Sequence, residues 1–357
     1  MNKPTDFLTR LLDAPGPSGF ELRASRVWRE EAATFSDETR TLVTGSTVAA
    51  VNPSGRPRVM LAGHIDEIGL QVTHIDEKGY LYVSEIGGWD PQVLVGQRVR
   101  VLGAKGDVIG VIGKKPIHLM REEERGKASK TRELWVDVGG ADRAAVTRMG
   151  LSVGDPMVVD AGLVPLAGDR IASRAIDNRI GAYTVLETLR LLSRKRKSLK
   201  ACAMAVATTQ EEIGYSGGGA RTSAYDLEPD VALVVDVTFS TDVPDAEKKE
   251  LGEHELGGGP VITRGSAVHP LVFERLVEVA RKNRIKHTIQ AAPRATRTDA
   301  DGIYLVRKGV PTGLLSIPNR YMHSPNEVVS LKDVQATARL MAAFIESLTP
   351  KTSFIPE

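Results

Sequence analysis

The sequence has a single cysteine and few aromatic residues. Cys202 is the only cysteine among 357 residues, so an intramolecular disulfide cannot form, which suits a reducing compartment. It lies in the apolar run Ala201–Val206 and is interpreted as a small buried side chain rather than a nucleophile. Aromatic residues make up 5% of the chain, which leaves few side chains for stacking against sugar rings.

The chain also lacks a strong net charge and long apolar runs. Its 47 basic and 45 acidic side chains are scattered and give a formal net charge of +2, so neither nucleic acid nor an anionic membrane is expected as a partner. No run of eighteen apolar residues occurs, and Met1–Asp6 has no apolar signal region, so we predict a cytoplasmic protein. An apolar content of 41% and a charged content of 26% are typical of a globular chain.

The pattern of predicted elements changes twice along the chain. Within residues 71–165, short Val- and Ile-rich runs separated by Gly-containing turns predict a β-barrel-like domain. Outside it, strands such as Ala201–Thr208 alternate with helices such as Arg179–Leu192, which predicts a mostly parallel mixed sheet flanked by helices. We therefore predict an α/β catalytic domain in two parts, residues 1–70 and 166–357, interrupted by the β-rich insert.

Four apolar strands each lead into histidine or carboxylate side chains. The predicted strands at 59–63, 201–209, 231–235 and 312–317 are followed by His64, by Glu211 and Glu212, by Asp236 and by His323. Open α/β sheets place their ligand sites at the carboxyl ends of strands, so these side chains are expected to share one site. Imidazole and carboxylate ligands without a thiolate suit divalent ions such as zinc, cobalt or manganese.

Spacing along the chain suggests roles for three further features. Asp177 precedes a predicted helix and is either a carboxylate that bridges two ions or the N-cap of that helix. Glu211 and Glu212 are adjacent, so from an extended backbone one can bind metal while the other faces the substrate as general base. Asp66 lies two residues beyond His64 and suits a partner that orients the imidazole.

Together, these segments resemble the tetrahedral (TET) or glutamyl-aminopeptidase family of dinuclear metallopeptidases. The segments that carry the resemblance, in family order, are Gly63–Gly69, Ala175–Arg179, Gln210–Gly214, Asp236, Thr298–Ala300 and His323–Glu327. The resemblance implies that the protein hydrolyses N-terminal residues from short peptides with a water molecule activated between two divalent ions per subunit. Zinc or cobalt is expected, with manganese as a further option.

The resemblance also implies a role for each site residue. The metal ligands would be His64 and Asp236 for one ion, Glu212 and His323 for the other, and Asp177 bridging both. Glu211 would be the general base and proton shuttle, and Asp66 would orient His64. The β-rich insert would be a dimerisation domain, and such dimers often assemble into hollow twelve-subunit tetrahedra that admit only unfolded peptides.

Two other functions are weighed against this one. Glycoside hydrolysis needs two carboxyl groups about 5–9.5 Å apart across the bond, and it leaves His64 and His323 without a role. A non-catalytic scaffold of the same fold would be expected to lose the base or a ligand, whereas this chain has all of them.

Several residues remain open or receive a structural interpretation. Arg294 and Arg297 stand where the family often has small residues, and they give slight support to an acidic N-terminal substrate residue over aliphatic or basic ones. Asp299 is either a turn residue or a substrate-side residue. The charge-rich segment 121–130 is interpreted as a solvated loop. No catalytic role is assigned to the remaining histidines, which are His74, His118, His254, His269 and His287.

Overall fold

The computed structural model describes residues 3–214 and 217–356. Residues 1, 2, 215, 216 and 357 lie outside this description. The first two of these belong to the segment Met1–Asp6 discussed above. The helices are α1 Asp6–Asp13, α2 Leu22–Ala33, α3 Pro91–Leu94, α4 Glu122–Arg125, α5 Arg143–Arg148, α6 Ile176–Ser193, α7 Gly218–Leu227, α8 Lys248–Leu251, α9 Pro270–Lys282, α10 Asp299–Ile303 and α11 Leu331–Glu346. The strands are β1 Glu38–Thr41, β2 Thr47–Val51, β3 Arg58–His64, β4 Gly69–Ile75, β5 Leu81–Ile86, β6 Arg98–Gly103, β7 Gly106–Gly113, β8 Trp135–Asp137, β9 Pro156–Val159, β10 Val164–Pro165, β11 Arg170–Ser173, β12 Cys202–Thr208, β13 Val231–Phe239, β14 Val261–Gly265, β15 Thr288–Ala292, β16 Thr312–Asn319 and β17 Glu327–Ser330.

An eight-stranded mixed sheet forms the centre of the fold, in the order β1-β2-β12-β3-β13-β16-β14-β15. Its four middle strands, β12, β3, β13 and β16, run parallel to one another. Every residue of β12 and β16 is buried, and so is every residue of β3 after Arg58. A strand that is covered on both faces has no polar side, which explains the continuous apolar runs in the sequence. The α/β fold predicted from the sequence is confirmed.

Helix α6 packs directly on β3, β12 and β13. Gly63 permits this close approach, because a Cβ at that position would lie 2.5 Å from the carbonyl carbon of Gly181. The carboxyl end of β3 is thereby brought next to the first turn of α6. Within that turn, Asp177 and Asn178 have non-helical dihedral angles, so the regular helix begins at Arg179, as predicted.

Six strands close into a separate barrel in the order β4-β5-β8-β7-β6-β9. In β5 the buried Leu81 and Val83 alternate with the more exposed Tyr82, as expected for a barrel wall with one face toward its core. The barrel core is distinct from that of the main sheet and includes Leu70, Leu81, Val99, Val101, Val136 and Met157. These strands lie within the stretch from Gly69 to Val159; a dimerisation role for them stays a prediction.

The hairpin of β1 and β2 is not predicted by the sequence pattern. Strand β1 is a mostly exposed edge strand of four polar residues, so it has no apolar alternation that would reveal it. Strand β2 is fully buried but short. Among the described residues, no helix is long and apolar enough to cross a membrane.

Candidate metal centre

The polar ends of the parallel strands meet at one edge of the main sheet. His64 is the last residue of β3 and is paired in register with Thr208, the last residue of β12. Asp236 lies in β13, two residues beyond the partner of Ala62 in β3. These side chains are buried although they are polar, which is unfavourable unless they find charged or hydrogen-bonding partners.

Asp177 lies between the two histidines. Its Oδ1 is 3.3 Å from Nε2 of His64, and its Oδ2 is 3.4 Å from Nε2 of His323. Asp177 does not cap the regular part of α6, because the residue before Arg179 is Asn178, whose Oδ1 accepts the N–H of Gly181 at 3.0 Å. The two oxygens of one carboxylate therefore face two different imidazoles.

His323 is oriented by the backbone of the barrel region. Its Nδ1 lies 2.7 Å from the carbonyl oxygen of Gly88, and since a carbonyl only accepts, Nδ1 carries the proton. Its Nε2 consequently points to the carboxylates, with Oε2 of Glu212 at 3.3 Å. Burial disfavours the charge on His323, but Asp177 and Glu212 raise its pKa to about 11.

His64 is oriented in a similar way by Asp66. Its Nδ1 lies 3.4 Å from Oδ1 of Asp66, so Nε2 faces the other carboxylates. From Nε2, Oε2 of Glu211 is at 3.6 Å and Oδ1 of Asp236 at 4.0 Å. Burial disfavours a charged imidazole, but hydrogen bonds to Asp177 and Asp66 hold the pKa of His64 well above its usual value.

The adjacent glutamates diverge. Glu211 approaches His64, whereas Glu212 approaches His323. The backbone N–H groups of both donate to the carboxylate of Asp66, at 3.2 and 3.1 Å. The side chain of Glu211 remains 17% exposed, and that of Glu212 only 5%. Glu211 is thus the more accessible carboxylate of the pair.

The site has more acidic groups than its two imidazoles can neutralise. Burial raises the pKa of Glu211 to about 10, and the nearby charges of Asp236 and Asp299 contribute to the rise. Burial and the charge of Asp177 raise the pKa of Glu212 to about 7. The pKa of Asp236 is also well above its usual value, mainly because the residue is buried. Burial and the neighbouring negative charges both disfavour the ionised carboxylates, and a bound cation would offset both effects.

Three of the predicted residues present possible ligand atoms at very close range. One donor atom from each of His64, Asp177 and Glu212 lies within 4.8 Å of the other two. Oε1 of Glu212 is buried and has no hydrogen-bond partner among the described residues. A buried acceptor without a partner is rare in folded proteins, and coordination of a cation would satisfy it.

A carboxylate to which the sequence assigned no role connects two of these residues. Oε2 of Glu327 accepts the N–H of Asp177 at 2.8 Å, and Oε1 accepts the N–H of His323 at 2.9 Å. Glu327 belongs to the His323–Glu327 segment, so the signal was present without an assigned function. The contact of Gly88 with His323 could not be predicted from the sequence, because it is made by a backbone carbonyl, which every residue has.

The residues that the sequence left open, and the histidines without an assigned role, have the following surroundings. Asp299 is buried at the start of α10 and accepts a hydrogen bond from Thr208, while its Oδ1 has no partner among the described residues. Arg294 and Arg297 are exposed. The remaining histidines contact other groups: His74 is near Tyr82, His254 near Thr288, His269 near Phe354, and His287 near the carbonyl of Ile285, while His118 is exposed.

The chain is similar to known proteins in both sequence and structure. The family described as M42 glutamyl aminopeptidase matches residues 45–340. The lysyl aminopeptidase of Pyrococcus furiosus is 35% identical over 347 residues, which cover 97% of each chain. A TET aminopeptidase from the marine sediment archaeon Thaumarchaeota archaeon SCGC AB-539-E09 shares 33% identity and a TM-score of 0.90 over 96% of each chain. The TET1 peptidase of Pyrococcus horikoshii, which can assemble into a tetrahedron or a large octahedral shell, is 27% identical with a TM-score of 0.84, over 96% of this chain and 99% of its own.

Proposed function

Because the chain belongs to the M42 glutamyl aminopeptidase family and is therefore an aminopeptidase, we propose that it removes N-terminal residues from short peptides with two divalent metal ions. The observation that carries this proposal is the convergence of two imidazoles with four buried or half-buried carboxylates at one edge of the sheet. Few arrangements other than cation binding make so concentrated a set of negative charges favourable.

The two oxygens of Asp177 support a site for two ions rather than one. They face His64 and His323 at 3.3 and 3.4 Å, as a bridging carboxylate between two ligand sets would. The proposed ligands are His64 and Asp236 for one ion, Glu212 and His323 for the other, and Asp177 for both. This donor set suits zinc or cobalt, and also accepts manganese.

The residues around the donor set suit hydrolysis. When bound, the two ions would lower the pKa of a water molecule and polarise the scissile carbonyl group. Glu211, the more accessible glutamate, would accept the proton of the attacking water and donate it to the leaving amine. Asp66 holds the N–H of Glu211 and the ring of His64, which keeps the base and the donor set in fixed relation. The excess negative charge would attract the ammonium group of the substrate, which favours cleavage at the N-terminus.

Turnover of aminoacyl anilides by chelated and metal-reloaded protein tests the proposal. Metal-dependent cleavage is expected, and Glu211→Gln should lower kcat by about 100-fold or more while metal content stays the same. Glu30→Gln is the matched control, because Glu30 is an exposed glutamate on α2. If fully metallated Glu211→Gln protein retained wild-type turnover, Glu211 would not be the base.

The anilide panel should include acidic, aliphatic and basic residues. The relative from Pyrococcus furiosus is named a lysyl aminopeptidase, whereas the exposed Arg294 and Arg297 of this chain favour an acidic residue through their charge. We propose the acidic preference for this chain. A higher kcat/KM for lysyl than for glutamyl anilide would refute it.

We also propose that the protein is a homo-oligomer that dimerises through the barrel. Exposed apolar side chains on β7 support this, since Ile109 and Val111 are 50% and 47% exposed. The assembly of the Pyrococcus horikoshii relative into closed shells is consistent with a dodecamer built from such dimers. Mass measurement in solution tests the proposal, and a monomer at micromolar concentration would contradict it.

A further inference from the structure

The loop before α2 reaches the backbone beside the proposed base. Glu21 is buried, and its Oε1 accepts the N–H of Gln210 at 3.2 Å and the N–H of Gly19 at 2.7 Å. The contact with Gln210 spans 189 positions along the chain. It therefore joins the N-terminal part of the protein to the segment that follows β12.

Gln210 has a backbone conformation that needs support. Its φ is 63°, in the left-handed region that is unfavourable for a residue with a Cβ. Such a conformation persists only where surrounding contacts hold it. The backbone conformation of Gln210 sets the direction in which Glu211 and Glu212 leave the end of the sheet. A change in that conformation would therefore move both side chains.

Two buried carboxylates share the task of holding this segment. Asp66 accepts the N–H groups of Glu211 and Glu212, and Glu21 accepts the N–H of Gln210. Three consecutive backbone donors are thus bound by two side chains from different parts of the sequence. Ser18, in the same loop as Glu21, donates to Asp66, so this loop contacts Asp66 as well as Gln210. Among the contacts of the described residues, only the one from Glu21 acts on the Gln210 amide.

We propose that Glu21 is a positioning residue, which holds Gln210 in its left-handed conformation and thereby directs Glu211 toward His64. This inference rests on the proposed role of Glu211 as general base. Glu21 acts through the backbone of Gln210. It must therefore place an acceptor oxygen within hydrogen-bond distance of the Gln210 N–H, and this does not require a negative charge. Burial and the charge of Asp66 raise the pKa of Glu21 to about 7, which agrees with a role that a neutral group can perform.

Two conservative variants test the length and the charge of the Glu21 side chain separately. Glu21→Gln keeps the length of the side chain and one acceptor oxygen, whereas Glu21→Asp keeps the charge but is one methylene too short. In the metal-saturated enzyme, Glu21→Asp should lower kcat about 10- to 100-fold with KM changed less than about threefold, as expected for a misplaced catalytic group. Glu21→Gln should remain within about threefold of wild type. Glu30→Asp on α2 is the matched control.

Hydrogen–deuterium exchange of the metal-free protein provides a readout that is independent of turnover. The Gln210 amide should exchange at least about tenfold faster in Glu21→Asp than in wild type or Glu21→Gln, because it loses its acceptor. Peptides from β12 should exchange at the wild-type rate, which shows that the sheet is intact.

Either of two results would overturn the inference: wild-type kcat and exchange in Glu21→Asp, or equal impairment in Glu21→Gln and Glu21→Asp. If the wild-type protein cleaved none of the anilides, the proposed function would fail instead. The exchange rates would then still decide whether Glu21 holds Gln210.

Discussion

Replacing Glu327 by glutamine tests how the ligand residues are held. Glu327 is buried at the start of β17 and accepts one backbone N–H from Asp177 and one from His323. Glutamine has nearly the same volume but only one acceptor oxygen. Its NH₂ group must therefore face one of the two N–H donors, which loses its partner and meets another donor.

The expected magnitude follows from this count of hydrogen bonds. A buried donor without a partner costs about 1–3 kcal/mol, so Glu327→Gln should lower the free energy of unfolding of the metal-free protein by that amount. Glu327→Ala removes both acceptors and should cost roughly twice as much. Because the backbone of two proposed ligands is released, zinc affinity should fall by about 10- to 100-fold.

Denaturant unfolding of the metal-free protein and calorimetric zinc titration measure the two effects. Glu346→Gln is a suitable control, since Glu346 is a half-exposed partner of Lys195 and should change stability by less than about 1 kcal/mol. The reasoning fails if Glu327→Gln has wild-type zinc affinity and a free energy of unfolding within about 0.5 kcal/mol of wild type.

Two further predictions concern ion pairs outside the metal centre. Although partial burial opposes its charge, hydrogen bonds from Arg320 lower the pKa of Asp242 to about 2. The stabilisation is complete above the unfolded-state pKa and is lost as pH falls through the folded-state value. Urea unfolding of Asp242→Asn should therefore show a loss of about 2 kcal/mol at pH 7 that shrinks between about pH 4 and pH 2, and a pH-independent difference would contradict the assignment. Arg179 is fully buried and donates to Glu67 at 2.7 Å and to several backbone carbonyls. Arg179→Met should therefore lower the free energy of unfolding by about 3–5 kcal/mol, because Glu67 loses a buried partner. A loss below about 1 kcal/mol in the same assay would show that these hydrogen bonds are not needed for stability.

The parts of the molecule that are readable from the sequence are those with a local signal. Continuous apolar runs mark the buried parallel strands, and the residue type directly after each run shows that His64 and Asp236 belong to a polar edge. Short Val- and Ile-rich runs between glycines mark the barrel in the same way. In contrast, β1 consists of four polar residues on an exposed edge, so no periodic pattern reveals it.

Only the tertiary structure decides which groups hold the site together. The sequence left Asp177 as either an N-cap or a ligand. Packing of α6 on β3 brings His64 to one of its oxygens, and the segment after β16 brings His323 to the other, so the proposed ligand role depends on contacts that only the fold creates. Glu21 and Glu327 bind backbone N–H groups 189 and 150 positions away, and the carbonyl of Gly88 binds His323 across 235 positions. Every residue except proline offers an N–H and every residue a carbonyl, so such contacts leave no trace in residue type. The sequence by itself therefore determined the chemical groups at the end of the sheet, while the folded chain determined their orientation.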